Sequence, residues 1–192
     1  MTSPYFHIEA VGQARILRLT SPDGTNRLTR ACVLALTQAV ATLARDVSPL
    51  VISGNRRYFS VGADLGEIKR LSGAEARDFA ALGQTLMNGI AEYPGLVIAA
   101  VEGHAMGGGF DLALACHRRI AAPNAVFAHR GAALGLITGW GGTQRLPGLI
   151  GKGRALDLLV TAEKVNAKRA LDIGLVSALA EEPVAEALAQ IH

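Results

Sequence analysis

Val97-Ile98-Ala99-Ala100-Val101-Glu102-Gly103-His104-Ala105-Met106-Gly107-Gly108-Gly109-Phe110-Asp111-Leu112-Ala113-Leu114-Ala115-Cys116 is the stretch whose reading decides the fold class. Its apolar, branched opening over residues 97–101 predicts a buried strand. The chain then breaks at Gly103, reaches three consecutive glycines at Gly107, Gly108 and Gly109, and resumes as a buried helix over residues 112–116. Glycine inside a helix costs roughly 1 kcal/mol relative to alanine. Three together mark a place where backbone approaches something closely, or where bare N–H groups face a ligand. The first N–H groups of a helix have no internal partner and carry partial positive charge, which suits a developing anion. Tight packing of strand against helix explains the glycines equally well at this point.

Working outward, residues 5–9 and 14–20 predict two strands around a turn at Gly12. Ser21-Pro22-Asp23-Gly24 is a turn. Thr29 is placed to cap a helix reaching about Arg45, with Leu34, Leu36, Val40 and Leu43 on its inner face. Ser48-Pro49 stops it, and residues 50–52 form a short buried strand. Residues 58–65 read as a loop, and residues 73–93 as a long amphipathic helix ended by Pro94-Gly95. Beyond the central stretch, residues 119–122 and 125–128 are short strands and residues 131–142 a glycine-rich loop. Residues 152–160 and 167–171 predict helices, 175–179 a strand and 182–191 a last helical piece. Strands alternating with helices argue for an α/β domain with parallel pairing.

Half of the 192 residues are hydrophobic, enough for one domain with a proper core. No apolar run approaches the ~20 residues that span a bilayer, and residues 1–10 lack a signal-peptide layout. The net charge of +3 is scattered without interleaved aromatics, which argues against nucleic acid and suits at most a few phosphates on a small molecule. Cys32 and Cys116 lie in apolar helical patterns without metal-ligand spacing and predict buried thiols in a reducing, cytoplasmic compartment. No metal site is expected.

Four pieces in order carry a resemblance: Phe59-Ser60-Val61-Gly62-Ala63-Asp64-Leu65, then residues 103–111, then Gly141-Gly142-Thr143-Gln144-Arg145-Leu146-Pro147, then Ala170-Leu171-Asp172-Ile173-Gly174-Leu175-Val176. Together they resemble the crotonase, or enoyl-CoA hydratase/isomerase, superfamily. The resemblance implies a repeated ββα spiral over about residues 1–180, with the usual C-terminal helical region shortened or absent and a short helical segment over about 181–192. It implies an acyl-CoA thioester as substrate, with coenzyme A part of that substrate and no other cofactor. It also implies a homo-oligomer, trimer or hexamer, which the short C-terminus puts in question.

By the same resemblance, the backbone N–H groups of Ala63 and Gly108 form an oxyanion hole for the thioester carbonyl. Two preorganised donors aimed at developing charge are worth several kcal/mol, roughly 3–4 for losing one. A β-branched residue at 108 is then expected to damage activity more than stability. Asn26-Arg27-Leu28 matches the segment beside pantetheine and nucleotide, where Arg27 either meets a phosphate or is a solvated surface group. Gly62, Leu65 and Gly107 belong to the binding motifs; Asp64 is expected to brace its loop. Thr138 and Trp140 are placed to shape the acyl pocket, Trp140 equally to pack.

Hydratases of this family use two glutamates. Here the first position is Asp111, an acid or base one methylene shorter, as in some relatives such as dienoyl-CoA isomerases. A helix-start carboxylate acting on the dipole is its alternative role. The second position is Gly131, which has nothing to hold water or carry a proton. His129 is a substitute that titrates near neutral pH, unless it is merely solvated or hydrogen-bonded. His104 and Glu102 are weaker candidates. The expected activity is enolate chemistry on an acyl-CoA, isomerase-like because one acid is missing. The alternatives are a catalytically silent acyl-CoA binder, or a thioesterase or decarboxylase of the same family.

Overall fold

The computed structural model describes residues 2–191. Strands β1 (Thr2–Ser3), β2 (Phe6–Val11), β3 (Ala14–Leu19) and β4 (Arg27–Leu28) precede helix α1 (Arg30–Leu43). Then come β5 (Leu50–Ser53), β6 (Tyr58–Ser60), β7 (Gly62–Ala63), α2 (Leu65–Ile68) and α3 (Gly73–Ala91). The central stretch supplies β8 (Val97–Val101), β9 (His104–Met106) and α4 (Gly108–Ala115), followed by β10 (Arg118–Ala121) and β11 (Val126–Ala128). Helices α5 (Gly142–Ile150) and α6 (Lys152–Thr161), strand β12 (Val165–Asn166), helix α7 (Ala167–Asp172), strand β13 (Ala178–Leu179) and helix α8 (Pro183–Ala189) complete the order.

The chain winds through two main sheets in repeated ββα turns, and β4 and β7 pair in parallel as a third, two-stranded one. Strands β5, β8 and β10 enter a seven-stranded sheet of order β1-β2-β3-β5-β8-β10-β13, while their successors β6, β9 and β11 enter a four-stranded sheet of order β12-β11-β9-β6. From β3 onward the larger sheet is parallel, with Leu50 opposite Val97 and Ile98 opposite Arg118; only β1, β2 and β3 pair antiparallel. In the smaller sheet β9 pairs in parallel with β11, Ala105 opposite Phe127 and Met106 opposite Ala128. This is the expected spiral, and the parallel pairing follows the buried Val, Ile and Ala runs.

Alternation along the strands builds two apolar layers from one sheet. Leu17, Leu50, Ile52, Val97, Ala99 and Val101 face the main core with α1, α3 and α4, whereas Ile16, Val51, Ile98, Ala100 and Ile120 face Ala187 of α8. Thr29 caps α1 by accepting from the Cys32 N–H, as expected. Cys32 and Cys116 are buried, and burial pushes both thiols up to about 12. No helix among the described residues is long and apolar enough to cross a membrane.

Several elements differ from the sequence reading. Residues 58–65 are not one loop but β6, β7 and the start of α2, pieces too short to show a period. The GGTQRLP segment is helix α5, with Pro147 inside it. His104–Met106 is a strand, and the expected strand over 175–179 contracts to Ala178–Leu179. Leu34 lies on the outer face of α1, 53% exposed, while Leu36, Val40 and Leu43 point inward.

Candidate active site

Helix α4 is buried all round, and this is why a carboxylate in its first turn ends up inside the protein. Gly107 precedes it at φ 50° and ψ −119°, a turn that glycine makes without strain. Gly108 opens the helix, so its N–H has no acceptor four residues back. The packing reading of the glycine triplet is realised at Gly109. A Cβ on Gly109 would stand 2.4 Å from the Ser60 carbonyl oxygen, which is pure packing of α4 on β6. A Cβ on Gly108 would stand 3.4 Å from the Ala63 nitrogen, so β7 and the start of α4 run close together at these two amides.

Those amides border a cavity of about 340 Å³ that Asp111, Gly107, Gly131, Thr138 and Trp140 also line. Leu65, Ile68, Leu71, Leu134, Leu136 and Ile137 add an apolar lining, of which Leu65, Leu134, Leu136 and Ile137 are exposed. Ile137 is 75% exposed. The structure therefore brings together Ala63, Leu65, Gly107, Gly108, Asp111, Gly131, Thr138 and Trp140.

Asp111 is 2% exposed and accepts a hydrogen bond at Oδ2 from the Thr138 hydroxyl. Burial raises its carboxyl to about 7; the Thr138 hydroxyl, the Arg145 guanidinium and the Gly142 N–H each pull the other way. His129 Nε2 lies 3.5 Å from Asp111 Oδ1, and the imidazole is 5% exposed. Burial pushes His129 down to about 4, so it is a neutral imidazole at neutral pH rather than the near-neutral titrating group expected. It is also not a solvated loop residue: its ring stacks on Phe110 at 4.7 Å between centroids.

Helix α5 closes the site from the far side. A Cβ on Gly142 would lie 2.4 Å from Asp111 Oδ1 and 2.7 Å from His129 Nε2, so only glycine fits at the head of that helix. Arg145 ties α5 in place by donating to the Trp140 carbonyl at 3.1 Å and to Asn88 at 2.7 Å. Trp140 both packs and lines the cavity: its Nε1–H donates to the Phe79 carbonyl at 3.3 Å while its ring sits against Gly83 and Gly108. A Cβ on Gly108 would come within 2.4 Å of that ring, so a larger residue there costs stability as well.

Other expected binding residues lie outside the cavity. Asn26 is buried with φ 54°, and its amide donates to the carbonyls of Tyr58 and Phe59 at 3.0 and 3.2 Å, bracing β6. Leu28 is fully buried in the core. The Arg27 guanidinium pairs with Asp23 at 3.3 Å and Asp64 at 3.5 Å, so two carboxylates already occupy it. A Cβ on Gly62 would stand 2.4 Å from the Met106 carbonyl oxygen and 2.7 Å from the Gly108 nitrogen. Asp64 caps α2 by accepting from the Glu67 N–H at 2.9 Å, the loop brace expected of it. His104 sits against the Tyr58 ring, and Glu102 lies away from the cavity, its carboxyl raised mainly by burial. Among the described residues no three His, Cys, Asp or Glu side chains converge as metal ligands would.

The pairing of His129 with Asp111 is what the sequence did not disclose. It arises because β11 runs parallel to β9, and Gly107 N–H donates to the Ala128 carbonyl at 2.9 Å. That bond sets the residue after Ala128 beside the first turn of α4; no spacing in the sequence signals it.

A family model described as enoyl-CoA hydratase/isomerase matches residues 11–191. The chain is 42% identical over 173 residues to a crotonyl-CoA hydratase of Syntrophomonas wolfei, covering 88% of this chain and 66% of that protein. It is 46% identical over 132 residues to a probable enoyl-CoA hydratase of Bacillus subtilis, covering 68% of this chain and 51% of the relative. Among solved structures, Pseudomonas aeruginosa DspI superposes with a TM-score of 0.92 at 35% identity, covering 97% of this chain and 78% of that one. An enoyl-CoA hydratase from Bacillus anthracis gives a TM-score of 0.90 at 31% identity, covering 96% and 73%. The chain thus spans about half to two thirds of the length of these curated relatives.

Proposed function

The chain belongs to the enoyl-CoA hydratase/isomerase family, and from that premise we propose that it acts on an acyl-CoA thioester through a stabilised enolate, with isomerase-like proton transfer. The observation that carries this reading is a single buried carboxyl, Asp111, on a cavity wall shared with Ala63 and Gly108, while Gly131 supplies no second acid.

In this reading the thioester oxygen sits between the N–H groups of Ala63 and Gly108. They stabilise it most when charge develops on it. The Asp111 carboxylate takes a proton from the carbon next to the thioester carbonyl, and the bond's electron pair moves through the carbonyl to the oxygen. The same carboxyl, now neutral, returns the proton two carbons further along as the double bond shifts. One proton leaves and one enters, so no water is consumed. A carboxyl with a pKa near 7 serves both halves, because neither protonation state is strongly preferred at neutral pH. The apolar lining of Leu65, Leu134, Leu136 and Ile137 suits a hydrocarbon chain. By the same resemblance the protein self-associates, and Leu156 and Val160, 62% and 68% exposed on α6, give such an interface apolar surface.

The similarity to a crotonyl-CoA hydratase favours a second reading, addition of water across the double bond. One experiment separates them: incubation with short enoyl-CoAs in deuterated water, followed by product mass. Deuterium in the acyl chain without added water supports the isomerase reading, whereas addition of a whole water supports hydration. Unchanged mass with CoA bound, seen as a raised Tm, leaves a silent acyl-CoA binder.

A further inference from the structure

Five buried side-chain atoms among the described residues have no hydrogen-bond partner, and three of them meet at this site: Asp111 Oδ1 and both ring nitrogens of His129. Buried polar groups are ordinarily paired, so a cluster of unpaired ones asks for an explanation. The His129 ring stacks on Phe110, and its Nε2 lies 3.5 Å from Asp111 Oδ1. Gly142, which has no side chain, lies against both atoms from α5. The other carboxyl oxygen is already engaged by Thr138. Hydrogen bonds of this kind are often long in an unliganded site and shorten when substrate closes it.

Resting on the reading of Asp111 as the proton-transfer group, we propose that His129 is its positioning residue. The neutral imidazole donates Nε2–H to Oδ1 while the Thr138 hydroxyl donates to Oδ2. The two donors fix the carboxylate plane and supply the polar partner that Gly131 lacks. The imidazole neither gains nor loses a proton in the reaction; it favours the anionic form of Asp111 and turns its free lone pairs toward the cavity. Arg145 and the Gly142 N–H, both of α5, also act on the Asp111 carboxyl, while Arg130, next to His129, donates to the Ala162 carbonyl at 3.0 Å.

Nitrogen-15 NMR of the histidine-labelled protein at pH 8, where Asp111 is ionised, tests this without reference to activity. The expected result is a neutral His129 carrying its proton on Nε2; a proton on Nδ1, or an imidazolium, overturns the proposal. In the deuterium assay, His129→Leu is expected to lower kcat roughly tenfold to a hundredfold, the worth of a hydrogen bond to a charged group. KM should stay near the wild-type value, and the rise of kcat with pH should move to higher pH. His129→Gln, whose amide can still donate, is expected to recover most of the rate. Wild-type kcat and pH profile in His129→Leu overturn the proposal. If that variant does not fold, the NMR result on the wild type decides. Full turnover in Asp111→Asn would instead sink the parent reading, leaving the tautomer result to stand by itself.

Discussion

Gly131 lies against the carbonyl of Leu136 so closely that a Cβ at residue 131 would stand 2.9 Å from that oxygen. The turn is closed from within, since the Leu134 and Leu136 N–H groups both donate to the Gly131 carbonyl, at 2.8 and 2.9 Å. The missing second acid is therefore not an empty slot waiting for a side chain. Gly131→Glu is expected to lower Tm by several degrees, as overpacking costs of about 1–3 kcal/mol translate at about 2–4 °C per kcal/mol in a chain this size. It should add no water to crotonyl-CoA by product mass. An unchanged Tm with new hydration would mean that the turn opens freely.

Asp111→Asn separates chemistry from binding. Turnover should fall at least a hundredfold, within the range for removing a general acid or base. CoA should still raise Tm as it does for the wild type. Stability should change in the opposite direction to activity. Burial lifts the folded carboxyl from 3.8 to about 7, so between those pH values the folded state keeps a proton that the unfolded chain has released. Wild-type stability is therefore lost as pH rises from about 4 to about 7, by an amount on the order of a few kcal/mol at 1.4 kcal/mol per unit. Asn has no such cost, so the variant's Tm should gain on wild type across that window and level off above it. His129 acts in the other sense, its stabilisation being lost as pH falls from 6.5 toward about 4. A flat Tm difference across pH 4–7 would contradict the buried ionisation of Asp111.

How much of this was legible in the sequence depended on how far each feature reaches. The strand Val97–Val101, the turn at Gly107 and the helix behind it were readable because each is local, and the parallel sheet followed from their composition. The motif resemblance reached further and placed Ala63, Gly108 and Asp111 in one cavity. Asn26 and Leu28 lie outside that cavity, their side chains spent on β6 and the core. Residues 58–65 gave no period because β6 and β7 are only three and two residues long. Helix α5 was hidden by Gly141, Gly142 and Pro147, residues that ordinarily argue against a helix. The His129–Asp111 contact depends on the register between β9 and β11, which no single segment encodes.

Gly142→Ala tests whether the approach of α5 matters to the site rather than to the helix. Alanine suits a helix better than glycine, so local propensity alone would stabilise the variant by up to about 1 kcal/mol. The new Cβ would meet Asp111 Oδ1 at 2.4 Å and must displace it. Turnover should drop at least tenfold, with a lowered Tm. Gly148→Ala, in the same helix and with nothing within 4 Å of its Cβ, is the control that should keep full activity and gain slightly in Tm. Equal activity in the two variants would show that Asp111 does not depend on α5.

Gly108 and Trp140 form the pair in which stability and activity can be uncoupled. Trp140 is wedged between two glycines, since a Cβ on Gly83 would stand 2.1 Å from its Nε1 and a Cβ on Gly108 2.4 Å from its six-membered ring. A Cβ at residue 108 forces the indole to shift, so Gly108→Ala should lower Tm by several degrees as well as activity. Trp140→Leu removes the obstructing ring at its own cost, in the range of about 2–5 kcal/mol for a large-to-small change in a core. In that background Gly108→Ala should cost almost nothing further, giving a coupling of at least about 1 kcal/mol in a double-mutant cycle of stability. Activity should not show the same relief. The added methyl still lies 3.4 Å from the Ala63 nitrogen, where the proposed oxyanion would sit. Activity recovered in the double variant along with stability would mean that the indole contact, and not the oxyanion hole, is what glycine protects at residue 108.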